Sequence, residues 1–152
     1  PSKSKFLATH PAIIKEISQK LSAVDFSSPV EMRGFVNGLR PIELSLFDNA
    51  QSRYFYQPIK SGGKYQKRDY LKALENLQHF DFVGLTEEFD DGVVNVCRMA
   101  GIVKEWTGLE RVNVNRYDYG FDKNNQDLIN AILPLVEFDL ALYDKVKYKK
   151  LA

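Results

Sequence analysis

Apolar residues recur at helical spacing along most of the chain. Four of them follow Pro11 in this way: Ile13, Ile14, Ile17 and Leu21. The same periodicity predicts four further helices: those that begin at Ser28 and at Pro41, one from Asp69 to Gln78 and one that begins near Gln126. Pro134 lies inside the last of them and is expected to kink or divide it, because proline lacks the amide hydrogen that a helix interior needs.

One segment has the pattern of a short strand that leads into a helix. Phe80, Phe82 and Val83 are aromatic or β-branched, which predicts a buried strand over residues 80–84, with Gly84 at the turn. Thr86 is a suitable N-cap, and Glu87, Glu88 and Asp90 lie where the helix dipole favours negative charge. A helix is therefore predicted from Glu87 to about Gly101, and its glycine is a C-terminal stop signal.

The junction FDFVGLTEEFD at residues 80–90 resembles one in the C-terminal half of carbohydrate and lipid sulfotransferases. Three other stretches are similar to landmarks of that family, in its order: DNAQSRYF at 48–55, ALENLQHFD at 73–81 and FDLALYD at 138–144. Ser52 stands where that family usually has threonine, and Gly92 where a serine is common.

The resemblance implies an α/β fold, of which residues 1–152 would be the mostly helical C-terminal part of a single P-loop-like three-layer domain. It implies transfer of a sulfuryl group from 3′-phosphoadenosine 5′-phosphosulfate to a hydroxyl of a saccharide or similar acceptor. The family's phosphate loop and Arg-Asp-Pro motif are not found in this sequence. We therefore expect the nucleotide-binding half, a second copy or a separate polypeptide to complete the sheet, and this chain alone to be inactive.

The candidate acceptor site is a polar band near residue 50. Asn49 and Arg53 are four residues apart and would share one helix face, with Gln51 beside them. The resemblance suggests that Arg53 neutralises an anion and that Asn49 and Gln51 bond acceptor hydroxyls, whereas a solvated face is the alternative. Lys60 and Lys64 lie in a Gly-containing basic loop that does not have Walker spacing, so it is either a surface turn or a basic lid over an anionic acceptor.

The candidate cosubstrate site is a later segment in which polar and apolar residues alternate. Its polar residues are Arg111, Asn113, Asn115 and Arg116. The resemblance places this region over the bound nucleotide or the acceptor, and an exposed edge strand is the alternative. No general base is assigned to this chain, and no cluster of residues has metal-ligand spacing.

Composition narrows the function only slightly. The net charge of +1 gives no argument for nucleic acid or a membrane surface. Cys97 is the one cysteine and is predicted to be a buried, inert thiol. With no apolar run long enough to span a membrane and no signal peptide, we expect a cytoplasmic, bacterial protein, or a Golgi-lumen enzyme if an N-terminal anchor has been removed.

Two other functions are consistent with the sequence. The first is a non-catalytic helical interaction module whose polar bands bind a protein partner. The second is another nucleotide-dependent transferase, such as a kinase-like enzyme, with a similar strand-to-helix junction.

Overall fold

All regular structure in residues 11–56, 63–102 and 120–148, which the computed structural model describes, is helical. The helices are α1 (Ala12–Ser22), α2 (Pro29–Asn37), α3 (Pro41–Phe47), α4 (Ala50–Tyr54), α5 (Lys67–Leu77), α6 (Phe89–Met99) and α7 (Gln126–Lys147). A 3₁₀ turn at Thr86–Glu88 precedes α6. The prediction of a mostly helical chain is confirmed, whereas the finer assignment to a sulfotransferase fold stays a prediction.

The predicted strand at residues 80–84 is wrong. Residues 80–85 form a loop, and Phe80 keeps 54% of its surface exposed. The ring of Phe80 packs edge-on against Phe55, with centroids 5.5 Å apart. β-propensity largely reflects packing on a pleated surface, and the described ranges contain no strand that would provide one. The aromatic residues here serve side-chain packing within a loop.

The extent of the predicted helix after this loop is confirmed, but the predicted Thr86 cap is wrong: Thr86 lies within the 3₁₀ turn, and no side chain caps the start of α6. The 3₁₀ turn and α6 together cover residues 86–99. Gly101 has a φ of 71°, and the amide of Ile102 donates to the carbonyl of Cys97 at 2.8 Å. The amide of Gly101 donates to the backbone carbonyl of Arg98 at 3.1 Å, and the two bonds together form a Schellman motif. The left-handed glycine therefore ends α6, as the sequence predicts.

The helix predicted from Pro41 is interrupted. It divides into α3 and α4 at Asp48 and Asn49, and Asn49 has a φ of 48°. Asparagine tolerates this left-handed conformation better than most residues do. Pro134, by contrast, does not divide α7, which runs unbroken through it.

The start of α2 contains only one of the two hydrogen bonds of a capping box. Ser28 accepts a hydrogen bond from the Glu31 amide at 3.3 Å, and Pro29 occupies the first helical position. The Glu31 carboxylate accepts instead from the amide of Asp25, at 2.8 Å. Glu31 thereby ties the preceding loop to the helix.

The chain divides into two compact units. Within the described ranges, unit 1 comprises residues 11–50, 63–65 and 120–137, and unit 2 comprises residues 51–56, 66–102 and 138–148. The single-domain prediction stays a prediction.

Unit 1 has an apolar core between α2 and the first half of α7. Two clusters of buried residues form it: Met32, Leu128 and Ala131, and Val36, Leu39 and Leu135. Phe35 and Phe47 pack edge-to-face beside the second cluster, with centroids 5.8 Å apart.

Unit 1 also buries a charged residue. Glu43 is fully buried, and its carboxylate accepts from Lys20 Nζ at 2.7 Å and from the Arg40 amide at 2.7 Å. The Arg40 guanidinium lies 2.8 Å from the same carboxylate and also pairs with Glu16. The hydrogen bond from Lys20 is the largest cause that lowers the pKa of Glu43 to about 2. Glu43 is therefore a paired, structural carboxylate.

Unit 2 is built on the buried face of α5. Tyr70, Ala73 and Leu77 are buried there, and the ring of Tyr70 stacks on Phe138 with centroids 5.3 Å apart. Two large side chains of unit 2 lie outside this buried face: Tyr54 is 78% exposed and Leu71 is 54% exposed.

Candidate functional site

The short helix α4, which carries the polar band, is held at its start by α7. The amides of Gln51 and Ser52 donate to the two carboxylate oxygens of Asp139, at 3.1 and 2.7 Å. The first amides of a helix have no partner within it, and a carboxylate there also interacts favourably with the positive end of the helix dipole. Asp139 therefore fixes the orientation of α4 from 87 residues further along the chain.

The end of α4 is held by α5. The side-chain amide of Asn76 donates to the carbonyl of Phe55 at 2.7 Å. Because the last carbonyls of a helix also lack partners within it, this bond stabilises the C-terminal side of α4. The edge-on contact of Phe55 with Phe80 continues the same attachment into the loop before α6.

A fourth bond joins the 3₁₀ turn before α6 to α7. The hydroxyl of Tyr143 donates to Glu87 Oε1 at 3.0 Å. This acceptor raises the pKa of Tyr143, because a carboxylate favours the protonated phenol. Each of the four bonds spans more than 20 residues of sequence and lies wholly within unit 2.

The side chains of α4 divide between solvent and interior. Gln51 is exposed and Arg53 is partly exposed, whereas Ser52 is fully buried. The Ser52 hydroxyl has no hydrogen-bond partner among the described residues. Gln51 and Arg53 are two residues apart, so they do not share one face of α4. An exposed amide can bond hydroxyl groups and a guanidinium can neutralise an anion, and the same exposure is equally consistent with a solvated face.

Of the predicted acceptor residues, Gln51 and Arg53 lie together in unit 2, and Asn49 and Lys64 belong to unit 1. The shared helix face predicted for Asn49 and Arg53 is wrong, because Asn49 precedes α4 in a left-handed conformation. Asn49 is fully buried, and its side-chain amide donates to Asp48 at 2.8 Å. It has no exposed atom that would reach an acceptor from solvent.

The other candidate residues fall in two groups. Lys64 is exposed. Lys60 and the four predicted cosubstrate residues lie outside the described residues: Arg111, Asn113, Asn115 and Arg116. Their predicted roles stay predictions.

Sequence reasoning missed the residues that hold the site together. Asp139 belongs to a stretch that resembles the sulfotransferase family, but its partners on α4 could not be read from spacing. Asp48 is fully buried, and its carboxylate accepts from the Tyr65 amide and from Asn49. No signal in the sequence marks Asp48 as buried, because aspartate is usually exposed.

Unit 2 also contains an apolar groove of about 320 Å³. Its lining includes Phe82, Leu85, Phe89, Val93, Val96 and Cys97. The ring of Phe82 lies so close to Gly84 that a Cβ added there would approach it to 2.9 Å. Cys97 is only partly buried, so the predicted buried thiol is wrong: Cys97 faces this groove because α6 lacks a buried face.

Comparison with known proteins gives no further assignment: no protein-family model, no curated protein and no solved structure matches the chain. Within the described residues, no helix is long and apolar enough to cross a membrane. In the same ranges, no group of three or more His, Cys, Asp or Glu side chains is arranged to hold a metal ion.

Proposed function

We propose that the chain is the acceptor-side portion of a sulfotransferase-like enzyme, which transfers a sulfuryl group from 3′-phosphoadenosine 5′-phosphosulfate to a hydroxyl of a saccharide or similar acceptor. The observation that carries the proposal is the attachment of α4 to Asp139. Residues of the four stretches that resemble the family are joined within unit 2 by four side-chain hydrogen bonds.

The exposed residues of α4 fit the acceptor side of such a reaction. The acceptor oxygen forms a bond to sulfur while the bond from sulfur to the nucleotide phosphate breaks, and the hydroxyl proton passes to a base not assigned in this chain. Arg53 would neutralise an anionic group of the acceptor or the charge that develops during transfer. Gln51 would orient the acceptor by a hydrogen bond, and Asp139 would position both residues through the α4 backbone.

The proposal is tested on the whole protein that the gene encodes. The protein is incubated with phosphoadenosine phosphosulfate labelled in sulfur and with saccharides that carry free hydroxyl groups. We expect label in a saccharide product, and no label when the 152-residue chain is used alone, because the phosphate-binding motifs are not found in it. A folded whole protein that labels no acceptor would contradict the proposal.

A second candidate function is a non-catalytic helical interaction module. The loop at residues 80–85, where an α/β sulfotransferase fold predicts a strand, favours it. So does α6, in which no residue is buried. An inactive whole protein that forms a stable complex with another polypeptide would support this alternative.

A further inference from the structure

Helix α6 presents an apolar surface that the described residues leave uncovered. None of its residues is buried, and Phe89, Val96 and Met99 are 51%, 47% and 58% exposed. An amphipathic helix normally buries its apolar stripe, and exposed apolar patches of this kind mark interaction sites. Ile102, just beyond the helix, is 53% exposed and extends the surface.

The surface has a concave centre. The groove of about 320 Å³ runs between α6 and the loop before it. Its lining is apolar apart from Thr86 and the Cys97 thiol. The Phe82 ring lies against the backbone of Gly84, where a Cβ would meet it at 2.9 Å, and beside Gly92, where a Cβ would make an ordinary contact at 3.5 Å. The volume lies at the lower end of the roughly 300–1,000 Å³ that ligand pockets occupy.

The border of this surface is acidic. Five carboxylates, all exposed, lie in the groove-forming segment: Asp81, Glu87, Glu88, Asp90 and Asp91. Between Phe80 and Cys97 the sequence has no Lys or Arg. Among the described residues of unit 2, the one cation on α6 is Arg98, at its C-terminal end, where it donates to Asn95 at 3.0 Å. The other cations of the described part of the unit lie on α4, α5 and α7 or next to them: Arg53, Lys67, Arg68, Lys72, Lys145 and Lys147. The potential at the start of α6 is therefore negative, and it favours cationic partners over anionic ones.

We infer that the α6 surface binds a partner polypeptide segment in which apolar side chains alternate with Lys or Arg. The apolar side chains fill the groove beside Phe89 and Val96, and the basic residues face the acidic border. Anionic partners such as nucleic acid or a phospholipid surface are disfavoured by the same five carboxylates. The inference does not depend on sulfuryl transfer, since it uses only the surface of α6 and the loop before it.

The test measures binding by the full 152-residue chain to a fluorescent amphipathic peptide of leucine and lysine. A matched peptide has glutamate in place of lysine. We expect the lysine peptide to bind, its affinity to fall with added salt, and the glutamate peptide not to bind. Equal affinity for the two peptides, or no binding of the lysine peptide, would overturn the inference.

Three variants locate the binding surface. Val96→Asp places a charge beside the groove and should weaken binding of the lysine peptide about tenfold or more, a loss typical of a central interface residue. Val30→Asp is the matched control, because Val30 is 71% exposed on unit 1; it should leave binding unchanged. The double change Asp90→Lys, Asp91→Lys should weaken binding and reduce its salt dependence. Equal effects of the two valine variants would overturn the assignment of the surface.

Two further measurements keep the result interpretable. Circular dichroism reports whether Val96→Asp is folded; if it is not, Met99→Asp replaces it at a more exposed position of the same helix. Light scattering tests for self-association of the chain. A dimer that Val96→Asp abolishes and that the lysine peptide does not dissociate would show that a second copy occupies the surface, which overturns the inference.

Discussion

Replacing Asp139 by alanine should destabilise unit 2, and the structure gives the magnitude. The substitution removes the carboxylate that accepts a hydrogen bond from the backbone amide of Ser52 at 2.7 Å. Ser52 is fully buried. An amide left unpaired in such a place costs about 1–3 kcal/mol. The Gln51 amide belongs to an exposed residue, so water replaces its lost acceptor. Loss of negative charge at the start of α4 adds about 0.3–1 kcal/mol.

The expected total is a loss of roughly 1.3–4 kcal/mol in the free energy of unfolding. Asp139→Asn keeps one oxygen and should lie between the alanine variant and the parent chain. Asp144→Ala is the control: Asp144 is exposed on the same helix, and its replacement should change stability by no more than about 0.5 kcal/mol. Because both alanine variants gain the same helix propensity, their difference isolates the bonds to α4.

Urea denaturation followed by circular dichroism provides the measurement. The free energy is taken from the midpoint and slope of each transition. If Asp139→Ala and Asp144→Ala unfold with the same free energy, the argument that Asp139 holds α4 is refuted. A smaller slope for Asp139→Ala alone would report a change in compactness and would also count against a simple loss of two bonds.

The remaining predictions use other groups. Ser52→Ala should raise the free energy of unfolding by about 0.5–1 kcal/mol in urea, because it removes a buried hydroxyl that has no partner among the described residues; a loss would contradict this. The pKa of Glu43 falls from 4.5 to about 2 on folding, so its stabilising contribution is present above pH 4.5 and is lost as the pH falls towards 2. Between pH 4.5 and pH 2, the free energy of unfolding should therefore fall less for Glu43→Gln than for the parent chain. Parallel curves of unfolding free energy against pH would refute this. Calorimetry should detect weak or no binding of phosphoadenosine phosphate to the 152-residue chain. Most nucleotide affinity comes from charge-assisted contacts to phosphate, and the family's two phosphate-binding motifs are not found in this sequence. Micromolar binding would show that the nucleotide site has been misplaced.

The helices were predictable because their signals are local. Periodicity and Pro11 give α1, Ser28 and Pro29 give the start of α2, and Gly101 ends α6. Each of these signals acts within one or two turns of the helix that it defines. A single sequence contains that information in full.

The errors arose where long-range partners decide the structure. Residues 80–84 have β-forming side chains, but no strand lies in the described ranges to pair with them. The burial of Glu43 has no signal in the sequence either, since its partner Lys20 lies 23 residues away. The break between α3 and α4 depends on contacts of Asn49, whose backbone amide donates to the carbonyl of Leu135.

The candidate site was predicted only in part, for the same reason. Gln51 is exposed and Arg53 is partly exposed, which both interpretations of the polar band, an acceptor site and a solvated face, predict. Asn49 was assigned to the same face on helical spacing alone, and the spacing fails because the helix begins after it. The role of Asp139 required the contact itself, since a carboxylate on one helix gives no sign of which amides it accepts from.

The account is tested most directly by kcat/KM for sulfuryl transfer by the whole protein with Arg53→Ala. Arg33→Ala is the control, because Arg33 is an exposed arginine of unit 1. The account predicts that Arg53→Ala lowers kcat/KM about ten- to a hundredfold, as expected for loss of one charge-assisted hydrogen bond, while Arg33→Ala leaves it unchanged. Equal values for the two variants, with both folded, would contradict the assignment of α4 to the acceptor site.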